Sequence, residues 1–189
     1  MWVIFYYCII SFFTEPLFII LKNKVPSFYI YSAFTIVEYT LFTLFLYLSF
    51  KERVFKRILI IGSLVFYAVA FFNYESNNTK NFDSLPASVE ALLMIIYVIC
   101  FFYEQIKDPA IFYIYNSKKF WIVIAFFLYF SSTLFLFLYA ATLTNQEHKN
   151  YWFINNMFNI LKNVLFCIAL LLKPKKKQAT MENFYPDIL

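Results

Sequence analysis

An all-α, polytopic transmembrane helical bundle is the fold class this sequence predicts, on three observations. Hydrophobic residues make up 62% of the 189 and charged residues only 14%, against about 25% charged in a typical soluble domain. Six apolar stretches fill nearly the whole chain: Trp2–Leu21, Phe28–Phe50, Ile58–Tyr74, Leu85–Tyr103, Phe120–Leu143 and Trp152–Leu172. A helix rises about 1.5 Å per residue, so about 20 residues cross a hydrocarbon core of about 30 Å. The third observation is the partition of basic residues between alternate loops. With six spans, eleven Lys and Arg fall on the side of the termini and four on the other. Positive residues stay cytoplasmic, so both termini are expected inside.

The first stretch carries Glu15-Pro16 in its outer half, where proline loosens the backbone. It has no positively charged leader region and no small-residue cleavage site, so it reads as a span rather than a signal peptide. The second holds Glu38 near its midpoint. The third follows the basic cluster Lys51, Arg53, Lys56 and Arg57 and contains Gly62, the one glycine of the chain. GxxxG packing is thereby excluded, and close contacts fall to Ala, Ser and Thr, such as Ser131, Ser132 and Thr133 of the fifth stretch. A polar outer loop, Asn73–Ser84, precedes the fourth. There Asp83-Ser84-Leu85-Pro86 marks a helix start, with Ser84 as N-cap and proline in the first turn. Glu90 follows about one and a half turns in, while Glu104 at the other end reads as surface. The sixth stretch carries Asn155, Asn156, Asn159, Lys162 and Asn163 and ends at Lys173-Pro174. Residues 1–172 thus form one bundle, and 173–189 a basic cytoplasmic tail that pins the last helix and meets anionic lipid.

Aromatic residues are abundant, with 27 Phe, 16 Tyr and 3 Trp. Interfacial belts account for Trp2, Trp121, Tyr151 and Trp152. Much of the remainder follows the same bias that makes Ile, Asn and Lys frequent and Gly rare, so no cofactor box is drawn from it. Cys8, Cys100 and Cys167 lie inside apolar stretches without metal-ligand spacing and read as small hydrophobes. His148, the single histidine, sits in a short outer loop with no second member for a metal centre or a hydrolytic triad. One glycine rules out a Gly-rich phosphate loop. A basic nucleic-acid surface is disfavoured because the charges flank membrane segments. No cofactor, metal or catalytic residue is assigned. A retinal Schiff base at Lys162 is argued against by the six visible spans and by Asn159 and Asn163 beside it, where a carboxylate is usual.

The remaining signal is the intramembrane polar set. A charge inside a bilayer costs several kcal/mol unless paired or hydrated, which makes such residues functional candidates. Glu38, Glu90, Asn156, Asn159 and Lys162 all fall between the outer interface and the midplane. On the last helix both 155/159/162 and 156/159/163 share a face. The set is expected to line an outward-opening cavity for a small molecule or ion, with Lys162 neutralising Glu38 or Glu90. A second reading has the same residues pairing between helices to fix the packing, with no ligand.

The stretches FYIYSAFTIVEYTLF, LPASVEALLMIIYVICFFYEQI, FWIVIAFFLYFSSTLFLFLY and NNMFNILKNVLFCIALL, over Phe28–Phe42, Leu85–Ile106, Phe120–Tyr139 and Asn155–Leu171, carry a resemblance. The chain resembles a family of uncharacterised bacterial multi-pass membrane proteins with glutamates at the positions of Glu38 and Glu90 and an asparagine-bearing last helix. The resemblance implies a family of seven-helix architecture, of which this chain is either a short member or one whose start lies upstream, and a bacterial inner-membrane location. Family genes lie beside histidine-kinase genes, which implies a membrane signalling partner. The expected function is a non-catalytic sensory or regulatory component, with the lipid bilayer as its surroundings. The alternatives are a small solute or proton-coupled transporter using Glu38 and Glu90 as relay groups, and a membrane-embedded lipid-modifying enzyme. Matched Gly/Pro-broken helices and internal symmetry, the marks of many transporters, are missing.

Overall fold

A computed structural model of the chain describes residues 1–21, 27–76, 84–107, 117–139 and 145–172. They form six helices and, among the described residues, no strand: α1 Trp2–Leu21, α2 Ser27–Ser49, α3 Arg53–Ser76, α4 Ser84–Lys107, α5 Lys118–Tyr139 and α6 Asn145–Leu171. Five contain stretches long and apolar enough to cross a membrane, namely Phe28–Ser49, Arg53–Asn73, Leu85–Lys107, Lys118–Leu136 and Phe153–Leu171. The first helix spans 20 residues around Pro16, and its described apolar run is Trp2–Thr14. The chain is a helical membrane protein.

Several helices outrun the apolar stretches that announce them. The third begins at Arg53 rather than Ile58, the fourth continues to Lys107, and the last begins at Asn145 rather than Trp152. Hydropathy marks the hydrocarbon boundary, whereas a helix continues into the polar interface as long as its backbone bonds propagate. His148 consequently belongs to the opening turns of α6 and not to a loop. The side chains of Glu15, Ser84, Tyr151 and Trp152, and the tail 173–189, lie outside the described residues.

Each of α1, α3 and α4 packs on α2, and α5 packs most extensively, against α4 and α6. Small residues at that tight seam are Ala87 and Ala91 of α4, Ala125 and Thr133 of α5 and Ala169 of α6, all buried. They allow close backbone approach in a helix pair that has no glycine to offer. Between the helices lies an aromatic core. Phe42 of α2 sits 4.5 Å from Tyr7 of α1 and 4.3 Å from Phe126 of α5, centroid to centroid. Phe166 of α6 meets Tyr7 and Phe126 edge-on at 6.0 and 5.7 Å. The outward faces of α1, α3 and α6 expose large apolar side chains, among them Phe12, Leu64 and Ile160, as a lipid-facing surface requires.

Three side chains tie helix ends together at the basic side. Glu104, expected at the surface, is buried. Its carboxylate accepts from the backbone N–H groups of Lys51 at 3.0 Å and Glu52 at 2.6 Å. Amides at a helix start have no intrahelical partner, so an acid from α4 satisfies those leading into α3. The carbonyls at helix ends are treated in the converse way. Lys118 donates to Leu170 O at 3.1 Å and Lys119 to Ser49 O at 3.5 Å.

Candidate functional site

Glu38 is the central residue of α2, and Lys162 is the central residue of the apolar stretch Phe153–Leu171 of α6. Two opposite charges thus enter the bundle at matching depth from helices far apart in sequence. The Lys162 ammonium lies 2.9 Å from Glu38 Oε1. Only 1% of the Lys162 residue and 5% of Glu38 are exposed. Tyr7 of α1 closes the arrangement, its hydroxyl donating to Glu38 Oε1 at 2.7 Å and accepting from Lys162 Nζ at 2.7 Å. Three helices therefore meet at one carboxylate oxygen.

Aromatic faces surround the ammonium. Its nitrogen is 3.8 Å from the centroid of Tyr129 on α5, 5.1 Å from Tyr7 and 5.5 Å from Phe42. Ring quadrupoles attract a cation most strongly where water is excluded. The cage thus offsets part of the cost of burying the lysine, while excellent ion-pair geometry offsets another part.

Four buried polar atoms have no hydrogen-bond partner among the described residues. Glu90, 3% exposed on α4, interacts electrostatically with both Glu38 and Lys162. Its Oε1 has no hydrogen-bond partner among the described residues, and the same holds for Oδ1 of Asn155 and Asn159 and for Oγ1 of Thr43. Asn159 and Asn155 lie one and two turns before Lys162 on α6, so they continue the inward face away from the buried pair. Asn156, named with the set on periodicity, is exposed, whereas Asn155 and Asn159 are half-buried. Of the five residues singled out in the sequence, Glu38 and Lys162 make direct contact, and Glu90 is buried within electrostatic range of both. Asn159 sits on the same face of α6 as Lys162, and Asn156 points away.

Tyr7 and Tyr129, two tyrosines among sixteen, carry no distinguishing mark in the sequence. A second polar knot also escaped notice. The Tyr39 and Tyr97 hydroxyls lie 3.1 Å apart, with Ser63 Oγ 3.2 Å from Tyr39 and Leu59 O 3.4 Å from Tyr97, all within hydrogen-bond reach. A Cβ on Gly62 would collide with the Tyr97 hydroxyl and lie 3.0 Å from its Cζ. The glycine exists to admit that ring against α3. A lone glycine inside an apolar helix was the available clue.

Among the described residues no cluster of three His, Cys, Asp or Glu could hold a metal ion, and the three cysteines are free thiols. Comparison with protein-family models, with characterised proteins and with solved structures finds no match for the chain.

Proposed function

We propose that the chain is a sensory or regulatory component of a bacterial cytoplasmic membrane, a multi-pass protein without catalytic activity, in which ligand binding beside the Glu38–Lys162–Tyr7 node changes the packing of α1, α2 and α6. The observation that carries this reading is the convergence of those three helices on one buried carboxylate oxygen. Removing either charge, or drawing it toward a ligand, leaves the other unpaired in a medium where that costs several kcal/mol. A packing arrangement held by one such contact responds to small perturbations as a two-state element.

The chemistry of the ligand follows from what the site leaves unused. Glu90 Oε1, Asn155 Oδ1 and Asn159 Oδ1 are acceptors. Two carboxyl groups face one ammonium, so the ligand is a donor, either a monovalent cation or a group bearing N–H or O–H. The basic helix ends and tail face the cytoplasm by the positive-inside rule and pass the change to a membrane signalling partner such as a histidine kinase.

The test is mild crosslinking of tagged protein in its native membrane, with mass spectrometry of what co-purifies. A signalling protein in near-stoichiometric yield is expected. Recovery of the chain alone, together with a pH-dependent solute flux in proteoliposomes that Glu90→Gln abolishes, would replace the sensory reading by a proton-coupled carrier. The unpartnered carboxyl oxygen of Glu90 beside the ion pair is the one observation favouring that second reading.

A further inference from the structure

At the opposite end of the bundle from the asparagines, a cavity of about 260 Å³ opens between the start of α1, the end of α2 and the start of α5. Its volume lies just under the roughly 300–1,000 Å³ of drug-sized sites, which suits a small polar group. Val3, Phe45 and Leu48 supply apolar walls. Leu48 is also exposed on the outer surface of α2, so an acyl chain leaving the cavity meets apolar surface at once. Ser49, Ser117, Lys118 and Lys119 supply the polar lining.

Both lysines reach backbone carbonyls at neighbouring helix ends. Lys118 is tethered to the end of α6 through Leu170 O and Lys119 to the end of α2 through Ser49 O. An ammonium carries three N–H donors, so each tether leaves donor capacity at a fixed position. Lys51 and Glu104 act on Lys119 in opposite senses. Glu104 already spends its oxygens on the Lys51 and Glu52 amides. The balance is an excess of positive charge at the mouth of a partly apolar cavity, at the level where the helices leave the hydrocarbon core.

We propose that this cavity binds the phosphate headgroup of an anionic membrane lipid, with Lys118 and Lys119 holding the phosphate and Val3, Phe45 and Leu48 receiving the glycerol and upper acyl chain. The site is independent of the Glu38–Lys162 node. A lipid seated there joins the ends of α1, α2 and α5 and stabilises the basic end of the bundle.

The experiment is a thermal-unfolding titration of the detergent-solubilised chain with three probes: a short-chain phosphatidylglycerol, the matching phosphatidylcholine, and inorganic phosphate. Saturable stabilisation by phosphatidylglycerol is expected at concentrations where the other two act weakly. Lys118→Gln with Lys119→Gln is expected to weaken the apparent affinity by about tenfold or more, since charge-assisted hydrogen bonds are lost. Arg53→Gln with Arg57→Gln removes the same charge from the same end and is expected to leave affinity within about twofold. Equal loss in both double variants would overturn the site in favour of diffuse attraction. Stabilisation by phosphatidylcholine as strong as by phosphatidylglycerol would overturn the anion requirement. An equal effect of inorganic phosphate would overturn the lipid as source. The comparison of probes on the unmodified chain decides the question even where a lysine variant fails to fold.

Discussion

Lys162 and Glu38 show how a single pair of residues dominates this molecule. Breaking a buried ion pair by removing one partner costs about 3–5 kcal/mol, whereas replacing both by neutral groups costs far less. Lys162→Met and Glu38→Gln are therefore each expected to lower the unfolding temperature strongly, and the double variant is expected to recover part of that loss. A thermal-unfolding double-mutant cycle in detergent checks this, and strictly additive losses would contradict it. The charges were legible in the sequence because a charge within an apolar stretch is an anomaly that needs a reason. Tyr7 and Tyr129 were not legible, since nothing distinguishes two tyrosines in a chain so rich in them. Asn155 and Asn156 were equally compatible with helical periodicity. Only the rotation of α6 against α5, fixed by packing, turns one inward and the other out.

At the scale of the helices, two contacts outside the site carry testable weight. Tyr97 lies over Gly62, and a methyl group there overpacks a buried seam at a cost of about 1–3 kcal/mol. Gly62→Ala is expected to lower stability by that amount, and Tyr97→Phe in the same chain to restore part of it by removing the colliding hydroxyl. Thermal unfolding of the two variants decides it, and no recovery would contradict the collision. Glu104 holds the amides that lead into α3, and leaving buried donors unsatisfied costs about 1–3 kcal/mol. Glu104→Ala is expected to speed hydrogen exchange at the Lys51 and Glu52 amides while the centre of α3 stays protected. The helices themselves were readable from apolar runs of membrane length. Their ends were not, because hydropathy reports the edge of the hydrocarbon core, and α3, α4 and α6 continue past it into the interface. Nor does the sequence show that Glu104 is buried: a glutamate near a helix end looks solvated until a neighbouring turn covers it.

For the molecule as a whole, the sequence established an all-helical membrane bundle, while the mutual placement of helices came only from three dimensions. The polar groups divide between two depths. An ion pair with spare acceptors occupies the middle, and lysines around a small cavity occupy the basic end. The node at Glu38 is expected to set the relative placement of α1, α2 and α6, beyond contributing stability. The most direct measurement is a spin-label distance between α1 and α6 in lipid nanodiscs. Labels go on the exposed positions Phe13 and Ile160, with Cys8, Cys100 and Cys167 replaced by serine. The unmodified node is expected to give one dominant distance, and Glu38→Gln to populate a second one in protein that remains folded. An unchanged distance in a folded Glu38→Gln protein would contradict the claim and leave the ion pair a packing element only.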